Sequence, residues 1–155
     1  MDVSIIYVNY RTSRLVIDSI NSVKEKTQGI LYEIIIVDNN SGDGSLAKIQ
    51  EIHPDVITIQ SEKNVGFGQA NNLGLKKADG KYIFFLNPDT LLRNNAIGEL
   101  FRFLELNMNV GACGGNLYDE EGNATTSFSR KYPSFLWELL GILYIPSLCF
   151  SSRRS

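Results

Sequence analysis

The stretch IIIVDNNSGDGS, residues 34–45, indicates the fold of this chain. It begins as a continuous run of β-branched residues, which is typical of a strand buried on both faces of a parallel sheet. The run gives way to a loop of Asp, Asn, Ser and Gly, and then to the helical spacing of Leu46, Ile49 and Ile52. Strand, polar loop and helix in this order predict one βα unit of an open α/β sheet.

Three more short apolar runs repeat this pattern along the chain. They are VSIIYV at residues 3–8, VITI at 56–59 and KYIFFL at 81–86. Helical spacings lie between and after them, around Val16, Ile20 and Val23, over residues 69–78, and from Ile97 to Leu104. Because strands joined by helices form right-handed crossovers, we expect a Rossmann-like α/β fold: a mostly parallel sheet flanked by helices.

The alternation of strands and helices stops after the fourth helix. Val110–Cys113 is predicted to be one more strand. Residues 116–118 and 124–128 are predicted to form a hairpin around the polar turn at 119–123, which we interpret as solvated. The sequence therefore predicts a second, smaller region after the α/β part.

The apolar run at residues 135–150 is too short to span a membrane. It contains Glu138 and Pro146, and a spanning helix needs roughly 20 apolar residues. We expect a helix covered by the core or by a partner. The competing interpretation is an interfacial helix that places Trp137 and Tyr144 at a membrane surface.

The composition is that of an ordinary globular protein. The chain has 155 residues, of which 43% are hydrophobic and 21% charged, and a formal net charge of −2. Because basic residues do not outnumber acidic ones, the charge argues against nucleic acid as a partner. Cys113 and Cys149 are spaced like neither a zinc site nor a disulfide framework, and no signal-peptide pattern opens the chain. We therefore expect a cytoplasmic protein.

Polar residues follow each predicted strand, where open α/β sheets bind their ligands. No glycine occurs in residues 9–14, which argues against a dinucleotide-binding turn, and the Gly80-Lys81 pair lacks the P-loop pattern. With these two nucleotide-binding patterns excluded, the candidate ligand-binding residues at the strand ends are Tyr10, Asp38 and Asp89. These groups suit a nucleoside diphosphate. They offer an aromatic ring for the base, an acceptor for a base N–H or ribose hydroxyl, and an oxygen ligand for Mg²⁺ or Mn²⁺.

The single histidine has no predicted role. His53 stands next to Pro54 and is predicted to be a surface residue.

Four motifs carry a family resemblance. They are VSIIYVNY at residues 3–10, IIIVDNNSGDGS at 34–45, NVGFGQANNLG at 64–74 and YIFFLNPDT at 82–90. Together they resemble the nucleotide-binding half of family 2 glycosyltransferases, and most closely the bacterial rhamnosyltransferase-like branch, over about the first 115 residues. The resemblance implies a GT-A fold, apparently in a truncated form, with residues 1–118 as the nucleotide-sugar-binding domain.

The resemblance also implies which residues surround the donor. Residues 8–10 would line the base pocket, Asp38 would contact the base or ribose, Asn64 and Gly68 would border the nucleotide, and Asp89 would bind the divalent cation. Asn87 stands where the family's D-x-D motif has its first aspartate, so the motif offers one carboxylate. For Asp38, a turn that closes the Gly-rich loop remains an alternative. The donor-site residues are Val8, Asn9, Tyr10, Asp38, Asn64, Gly68, Asn87 and Asp89.

By resemblance, the reaction is an inverting, metal-dependent transfer of a sugar from a nucleoside diphosphate sugar to a glycan or lipid-linked acceptor. Residues 119–155 would begin the acceptor side, with an apolar helix and a frayed tail. Glu138 is the only carboxylate after Tyr132, so no catalytic base is assigned. A catalytically silent nucleotide-binding or assembly module is the alternative. We also expect self-association, and contact with the inner face of the membrane.

Overall fold

The computed structural model describes residues 1–119 and 121–125. The predicted apolar helix at 135–150, the last residues of the predicted hairpin and the predicted frayed tail lie outside the described residues. The chain divides into two compact units, one of residues 1–115 and one that begins at Asn116. The first unit contains the α/β sheet, and the second contains a short hairpin.

Strands and helices alternate throughout the first unit, as the sequence predicts. The elements are β1 (Val3–Asn9), α1 (Ser13–Lys26), β2 (Tyr32–Asp38), α2 (Ser45–Ile52), β3 (Ile57–Gln60), α3 (Phe67–Leu75), β4 (Tyr82–Phe85) and α4 (Ala96–Leu106).

All neighbouring strands of the sheet are parallel, and their order is β3-β2-β1-β4. Asn9 at the end of β1 lies opposite Asp38 at the end of β2, and Ile6 lies opposite Phe85 at the end of β4. The chain thus adds β2 and β3 on one side of β1 and β4 on the other. Open α/β sheets bind ligands where the strand order reverses in this way, at the carboxyl ends of the strands, here β1 and β4.

Apolar side chains cover both faces of the sheet, which confirms the expected α/β class. Tyr7 and Ile36 pack on one face against Val16 and Ile20 of α1, and Ile97 of α4 belongs to the same cluster. A smaller cluster on the other face joins Val8, Val37 and Ala70 of α3. Successive side chains of a strand point to opposite faces, which explains why Tyr7 and Val8 enter different clusters.

Gly74 lets α3 lie close to the sheet. A Cβ atom added at this position would come within 2.6 Å of Ile6 Cγ2 and 3.3 Å of Val37 Cγ2. Real Cβ contacts are longer, so a larger residue would push the helix away from β1 and β2. The close approach fixes where the first turn of α3 lies relative to the carboxyl ends of these strands.

The prediction that His53 is a surface residue is wrong. It ends α2 with only 5% of its surface exposed, and its Nδ1 atom lies 3.3 Å from Lys24 Nζ of α1. Its Nε2 atom is buried without a hydrogen-bond partner among the described residues. Burial and then the Lys24 charge lower the pKa of His53, because both disfavour the imidazolium form. The neighbouring Pro54 suggested exposure, but packing of α1 against α2 covers the ring.

The prediction of a strand at Val110–Cys113 is also wrong. The chain turns there, and the Val110 N–H donates to the Asn107 carbonyl at 2.9 Å. Gly111 within this stretch, and Gly114 and Gly115 directly after it, have no side chains to pack on a sheet, which weakens strand pairing.

The second unit contains the predicted hairpin. Its strands are β5 (Leu117–Tyr118) and β6 (Ala124–Thr125), which pair antiparallel. The Asp119 side chain accepts hydrogen bonds from the backbone and side chain of Asn123 across the turn. Over the described part of the chain, every helix falls short of the length and apolarity that a membrane crossing requires.

Candidate functional site

Asn9 and Asp38 form the centre of a polar network at the carboxyl edge of the sheet. The Asn9 amide donates to Asp38 Oδ1 at 2.6 Å and to Ser41 Oγ at 3.2 Å. Its own Oδ1 atom accepts from the N–H and hydroxyl of Thr12 at 3.2 and 3.0 Å. Both Asn9 and Asp38 are buried, so these hydrogen bonds satisfy groups that would otherwise be costly to bury.

Asp38 accepts four hydrogen bonds. Besides the Asn9 amide, Ser41 Oγ donates to Oδ1 at 2.5 Å, while Ser41 N–H and Gln60 Nε2 donate to Oδ2 at 2.9 and 3.0 Å. Burial alone would raise the pKa of this carboxyl, but the hydrogen bonds outweigh burial and lower it. Asp38 is therefore an ionised group. Among its donors in the described part of the chain, Asn9 and Ser41 are buried, and Gln60 is exposed and can exchange with solvent or ligand.

The Ser41 hydroxyl connects this network to the residue after Tyr10. Its Oγ accepts the backbone N–H of Arg11 at 2.9 Å, and the Ser41 carbonyl accepts Arg11 Nε at 3.3 Å. Tyr10 is 43% exposed, and the Arg11 guanidinium lies over its ring with Cζ 5.3 Å from the centroid. This distance is that of a cation–π contact. Tyr10 and Arg11 thus form the exposed rim above the buried network.

A second set of amides joins the loop after β2 to the loop before α3. Asn39 Nδ2 donates to Asn64 Oδ1 at 3.0 Å, and Asn39 Oδ1 accepts the Val65 N–H at 2.9 Å. Asn64 Oδ1 also accepts the Gly66 N–H at 3.0 Å. Gly66 has a φ of +82°, which favours glycine at this turn. Asn64 therefore supports the loop directly before the first turn of α3.

The backbone conformation at Gly68, unlike that at Gly66, does not require glycine. It lies in the first turn of α3 with no positive φ, and a Cβ atom added there would meet nothing within 4 Å. Folding of the described residues therefore gives no reason for glycine at this position. Glycine in a helix costs about 0.5–1 kcal/mol of stability relative to alanine. Gly68 therefore lowers the stability of α3 slightly, and the space that a side chain would fill stays open.

The turn that carries Asp89 is fastened to α1. The Thr90 N–H donates to the Asn87 carbonyl at 3.1 Å, which closes a β-turn with Pro88 in its second position. Ser19 Oγ donates to the Thr90 carbonyl at 2.6 Å, and the Leu92 N–H donates to Ser22 Oγ at 3.0 Å. Asn87 and Asp89 are exposed at this turn, beyond the end of β4.

Tyr7 extends the contact between α1 and this turn into the core. Its hydroxyl lies 3.0 Å from Ser19 Oγ. Because Ser19 gives its hydrogen to Thr90, Tyr7 is the donor in this pair, and burial raises the pKa of Tyr7 so that its hydroxyl keeps its proton.

The predicted residues do not all meet at one point. Asn9 and Asp38 are in contact, and Tyr10 follows Asn9, but Asp38 and Asp89 follow strands on opposite sides of β1. Strands lie about 4.8 Å apart, so the two carboxylates start from points roughly 10 Å apart. They therefore cannot be expected to bind one cation together. Val8 is 8% exposed and packs with Val37 and Ala70, so only its backbone faces the strand end.

Several residues that build the site were not singled out from the sequence. Ser41 and Gln60 bond Asp38, Asn39 joins two loops, and Ser19 and Ser22 hold the Asp89 turn. Ser41 and Asn39 could have been suspected from their place in the Gly-rich loop. Ser19 and Ser22 had a weaker signal, as polar positions on the otherwise apolar inner side of α1.

The oxygen donors available to a cation are few. No group of three or more His, Cys, Asp or Glu residues in the described part of the chain could hold a metal ion. Asp89 supplies one exposed carboxylate, and Asn87 supplies an amide oxygen. Hard oxygen donors suit Mg²⁺ or Mn²⁺, which often take further ligands from substrate phosphates and water. The donor set fits such a cation when a diphosphate completes it.

An open parallel sheet flanked by helices, with polar loops after its strands, defines a Rossmann-like α/β domain. Residues 4–151 match the family described as Glycosyl transferase family 2, and the chain belongs to that family. An uncharacterized glycosyltransferase of Nostoc sp. is 32% identical over 114 residues, which cover 72% of this chain and 35% of that protein. The minor teichoic acid biosynthesis protein GgaB of Bacillus subtilis is 30% identical over 112 residues, covering 70% of this chain and 12% of GgaB.

Solved structures show the same fold. Residues 1–349 of S. aureus TarS, in complex with UDP-GlcNAc, align with a TM-score of 0.63 and 22% identity over 70% of this chain and 32% of that chain. The mannosyltransferase PcManGT of Pyrobaculum calidifontis, in complex with GDP-Man and Mn²⁺, aligns with a TM-score of 0.59 and 22% identity over 66% of this chain and 32% of that chain. This chain therefore spans about a third of these structures and of the Nostoc relative.

Proposed function

We propose that this chain is the donor-binding part of a glycosyltransferase and binds a nucleoside diphosphate sugar between the carboxyl ends of β1 and β4. The observation that carries the proposal is the sheet order, in which β4 lies beside β1 on the side away from β2. We infer that Tyr10 and the Asn87–Asp89 turn border one crevice at these strand ends. Family membership, and relatives solved with UDP-GlcNAc or with GDP-Man and Mn²⁺, support it.

The two sides of the crevice suit different parts of the donor. On the β2 side, the Tyr10 ring would pack against the base, and Asp38 would accept a hydrogen bond from the base or ribose in place of Gln60. Asn9 would hold Asp38, and the backbone of Val8 would border the base. Asn64 supports the loop before α3, and Gly68 leaves room there for the nucleotide to approach.

On the β4 side, Asp89 would hold a divalent cation, with Asn87 beside it and phosphate oxygens completing the ligands. When bound, such a cation stabilises the charge that develops on a leaving diphosphate. Ser19 and Ser22 keep the turn in place, so Asp89 does not have to be ordered at the moment of binding. An acceptor hydroxyl would displace the diphosphate with inversion, and its base would come from the acceptor side of the enzyme.

Calorimetric titration with UDP and dTDP in the presence of Mn²⁺ tests donor binding. We expect heat of binding with at least one of them, and a loss of about tenfold or more in affinity in Asp89→Ala. Asp79→Ala is the matched control, because Asp79 is also exposed but precedes β4 and so lies at the opposite edge of the sheet. A folded protein that binds neither nucleotide would refute the proposal.

Transfer to an acceptor distinguishes an active enzyme from a catalytically silent nucleotide-binding module. We propose transfer to a glycan or lipid-linked acceptor in polysaccharide biosynthesis. We also propose that the protein belongs to the rhamnosyltransferase-like branch, because of its Asn87-Pro88-Asp89-Thr90 sequence. Assays with dTDP-rhamnose and UDP-GlcNAc would compare the sugars. Donor binding without transfer in any assay would favour the silent module.

We also propose that the protein associates with itself at the inner face of the membrane in the cytoplasm. Phe103, Leu106 and Met108, at and beyond the end of α4, are 47%, 83% and 81% exposed. Exposed apolar groups of this size favour association. Light scattering of the purified protein tests self-association, and sedimentation with anionic vesicles tests membrane contact. A monodisperse monomer that stays in the supernatant would contradict both.

A further inference from the structure

Arg11 has an unusual backbone at the rim of the crevice. Its φ is +59°, in the left-handed region that residues with side chains seldom adopt. Two hydrogen bonds to Ser41 hold it there, one from its backbone N–H and one from Nε. Strained residues that the surrounding structure holds in place are often found at ligand sites. The conformation directs the guanidinium over the exposed Tyr10 ring rather than away into solvent.

The hydrogen-bonding groups of the guanidinium are only partly used. Nε donates to the Ser41 carbonyl, but neither terminal amino group donates a hydrogen bond within residues 1–119 and 121–125. A guanidinium has donors and no acceptor, whereas ionised Asp38 has acceptors and no donor. Ser41 Oγ contacts both residues, the backbone of Arg11 and the carboxylate of Asp38. Ser41 thus links the residue that carries the free donors to the buried carboxylate of Asp38, whose donor Gln60 is exposed.

Because the guanidinium lies over the Tyr10 ring, a base that packs beside this ring would come next to the guanidinium. Uracil, thymine and guanine each present a ring N–H next to a carbonyl oxygen, which a neighbouring acceptor and donor can pair with. Cytosine and adenine present an amino group next to an unprotonated ring nitrogen, the reverse pattern. An acceptor–donor pair distinguishes these patterns, because the wrong base leaves donors facing donors.

We propose that Arg11 is a base-specificity residue that donates a hydrogen bond to the carbonyl of a uracil, thymine or guanine base while Asp38 accepts from the adjacent N–H. This inference rests on the proposed function, since it concerns the nucleotide of the same donor. It adds a residue that selects the base, through terminal amino groups that donate no hydrogen bond within the described residues.

UDP and CDP provide the sharpest comparison, because they differ only at the pyrimidine edge. We expect wild-type protein with Mn²⁺ to bind UDP about tenfold or more tightly than CDP in calorimetric titrations. Arg11→Met removes the donors and keeps the length of the side chain, and we expect it to weaken UDP binding about tenfold while CDP binding stays within about twofold. Arg14→Met is the control, since it removes the same charge from an exposed position in the first turn of α1.

The outcomes separate this inference from the proposed function. If the wild type binds UDP and CDP alike, or if Arg11→Met keeps the UDP preference of the wild type, Arg11 does not select the base, although donor binding stands. If Arg14→Met loses the preference as fully as Arg11→Met, the effect is one of net charge and the inference is wrong. If the folded wild type binds no nucleoside diphosphate, both proposals fail. Thermal unfolding of each variant verifies the folded state.

Discussion

The Asn9 amide and the Asp38 carboxylate are joined by a hydrogen bond of 2.6 Å between the last residues of neighbouring strands. Both residues are buried, and each makes further hydrogen bonds to the loop that follows its own strand. The pair therefore fixes two loops relative to the sheet. Its loss would change the shape of the crevice as well as the stability of the protein.

We expect Asp38→Asn to lower the free energy of unfolding by about 2 kcal/mol or more and to abolish UDP binding. The new amide group would face donors from Asn9, Ser41 or Gln60, and buried donors without acceptors are costly. Urea denaturation and calorimetric titration measure the two effects. Asp18→Asn, exposed on α1, makes the same chemical change outside the network and should leave both values unchanged. Equal stability of the two variants would contradict this role of Asp38.

Ser19→Ala should weaken both stability and donor binding. Its hydroxyl is buried and links Tyr7 to the carbonyl of Thr90, so removal leaves that carbonyl unpaired at a cost of about 1–2 kcal/mol and loosens the Asp89 turn. Tyr7→Phe is the comparison, because it loses the hydrogen bond to Ser19 but keeps the one from Ser19 to Thr90. It should lower the melting temperature and leave nucleotide affinity intact. Unchanged affinity in Ser19→Ala would show that the turn does not depend on this contact.

Asn87→Asp should strengthen the binding of Mn²⁺ in the absence of nucleotide by about tenfold, because a second carboxylate adds charge to the cation site. Titration of Mn²⁺ followed by electron paramagnetic resonance gives the affinity directly. Asn94→Asp places the same charge further along the chain at an exposed position and serves as the control. Similar affinities in the two variants would indicate that the cation does not bind at the turn.

His53 should make the fold less stable in mild acid. Burial lowers the pKa of His53 below its ordinary value of 6.5, so the folded state binds the proton less readily than the unfolded state. Its contribution is fully present above pH 6.5 and falls as the pH drops below 6.5 towards the lowered pKa. Protonation would also oppose the contact between Nδ1 and the Lys24 ammonium group. Urea denaturation at pH 7.5 and 5.5 measures the change.

His53→Gln is the control for this pH dependence. Glutamine is uncharged at both pH values, so the variant should show a smaller difference in unfolding free energy between them than the wild type. If wild type and variant lose the same stability on acidification, other groups account for the effect.

The sequence was sufficient to predict the sheet, because each strand is a continuous apolar run followed by a polar loop. Burial on both faces holds for the central strands β1 and β2, whereas the outer strands β3 and β4 are partly exposed. The four runs correspond to β1–β4, and the alternation with helices fixed the class of fold. The predicted strand at Val110–Cys113 is absent because one glycine within the stretch and two directly after it outweigh its apolar residues. The helical spacing over residues 69–78 corresponds to α3, which begins two residues earlier, at Phe67, directly after the loop that Asn64 supports.

The candidate site was predictable in its positions but not in its contacts. The positions of Asn9 and Asp38 at the ends of neighbouring strands can be predicted from topology alone. The full set of donors on Asp38 includes Gln60, which lies 22 positions further along the chain, and no local pattern reveals such a partner. The burial of His53 was missed for the same reason, since α1 covers it.

The amide bridge from Asn39 to Asn64 and Val65 has a kinetic consequence. It ties two loops into one rigid surface before any ligand arrives, so the entropy of ordering them is lost during folding and not during capture of the donor. A preorganised surface of this kind should let a nucleotide bind in a single step, at a rate set by diffusion and orientation. If the donor binds as proposed, the two asparagines would affect the rate of binding without a contact to the sugar.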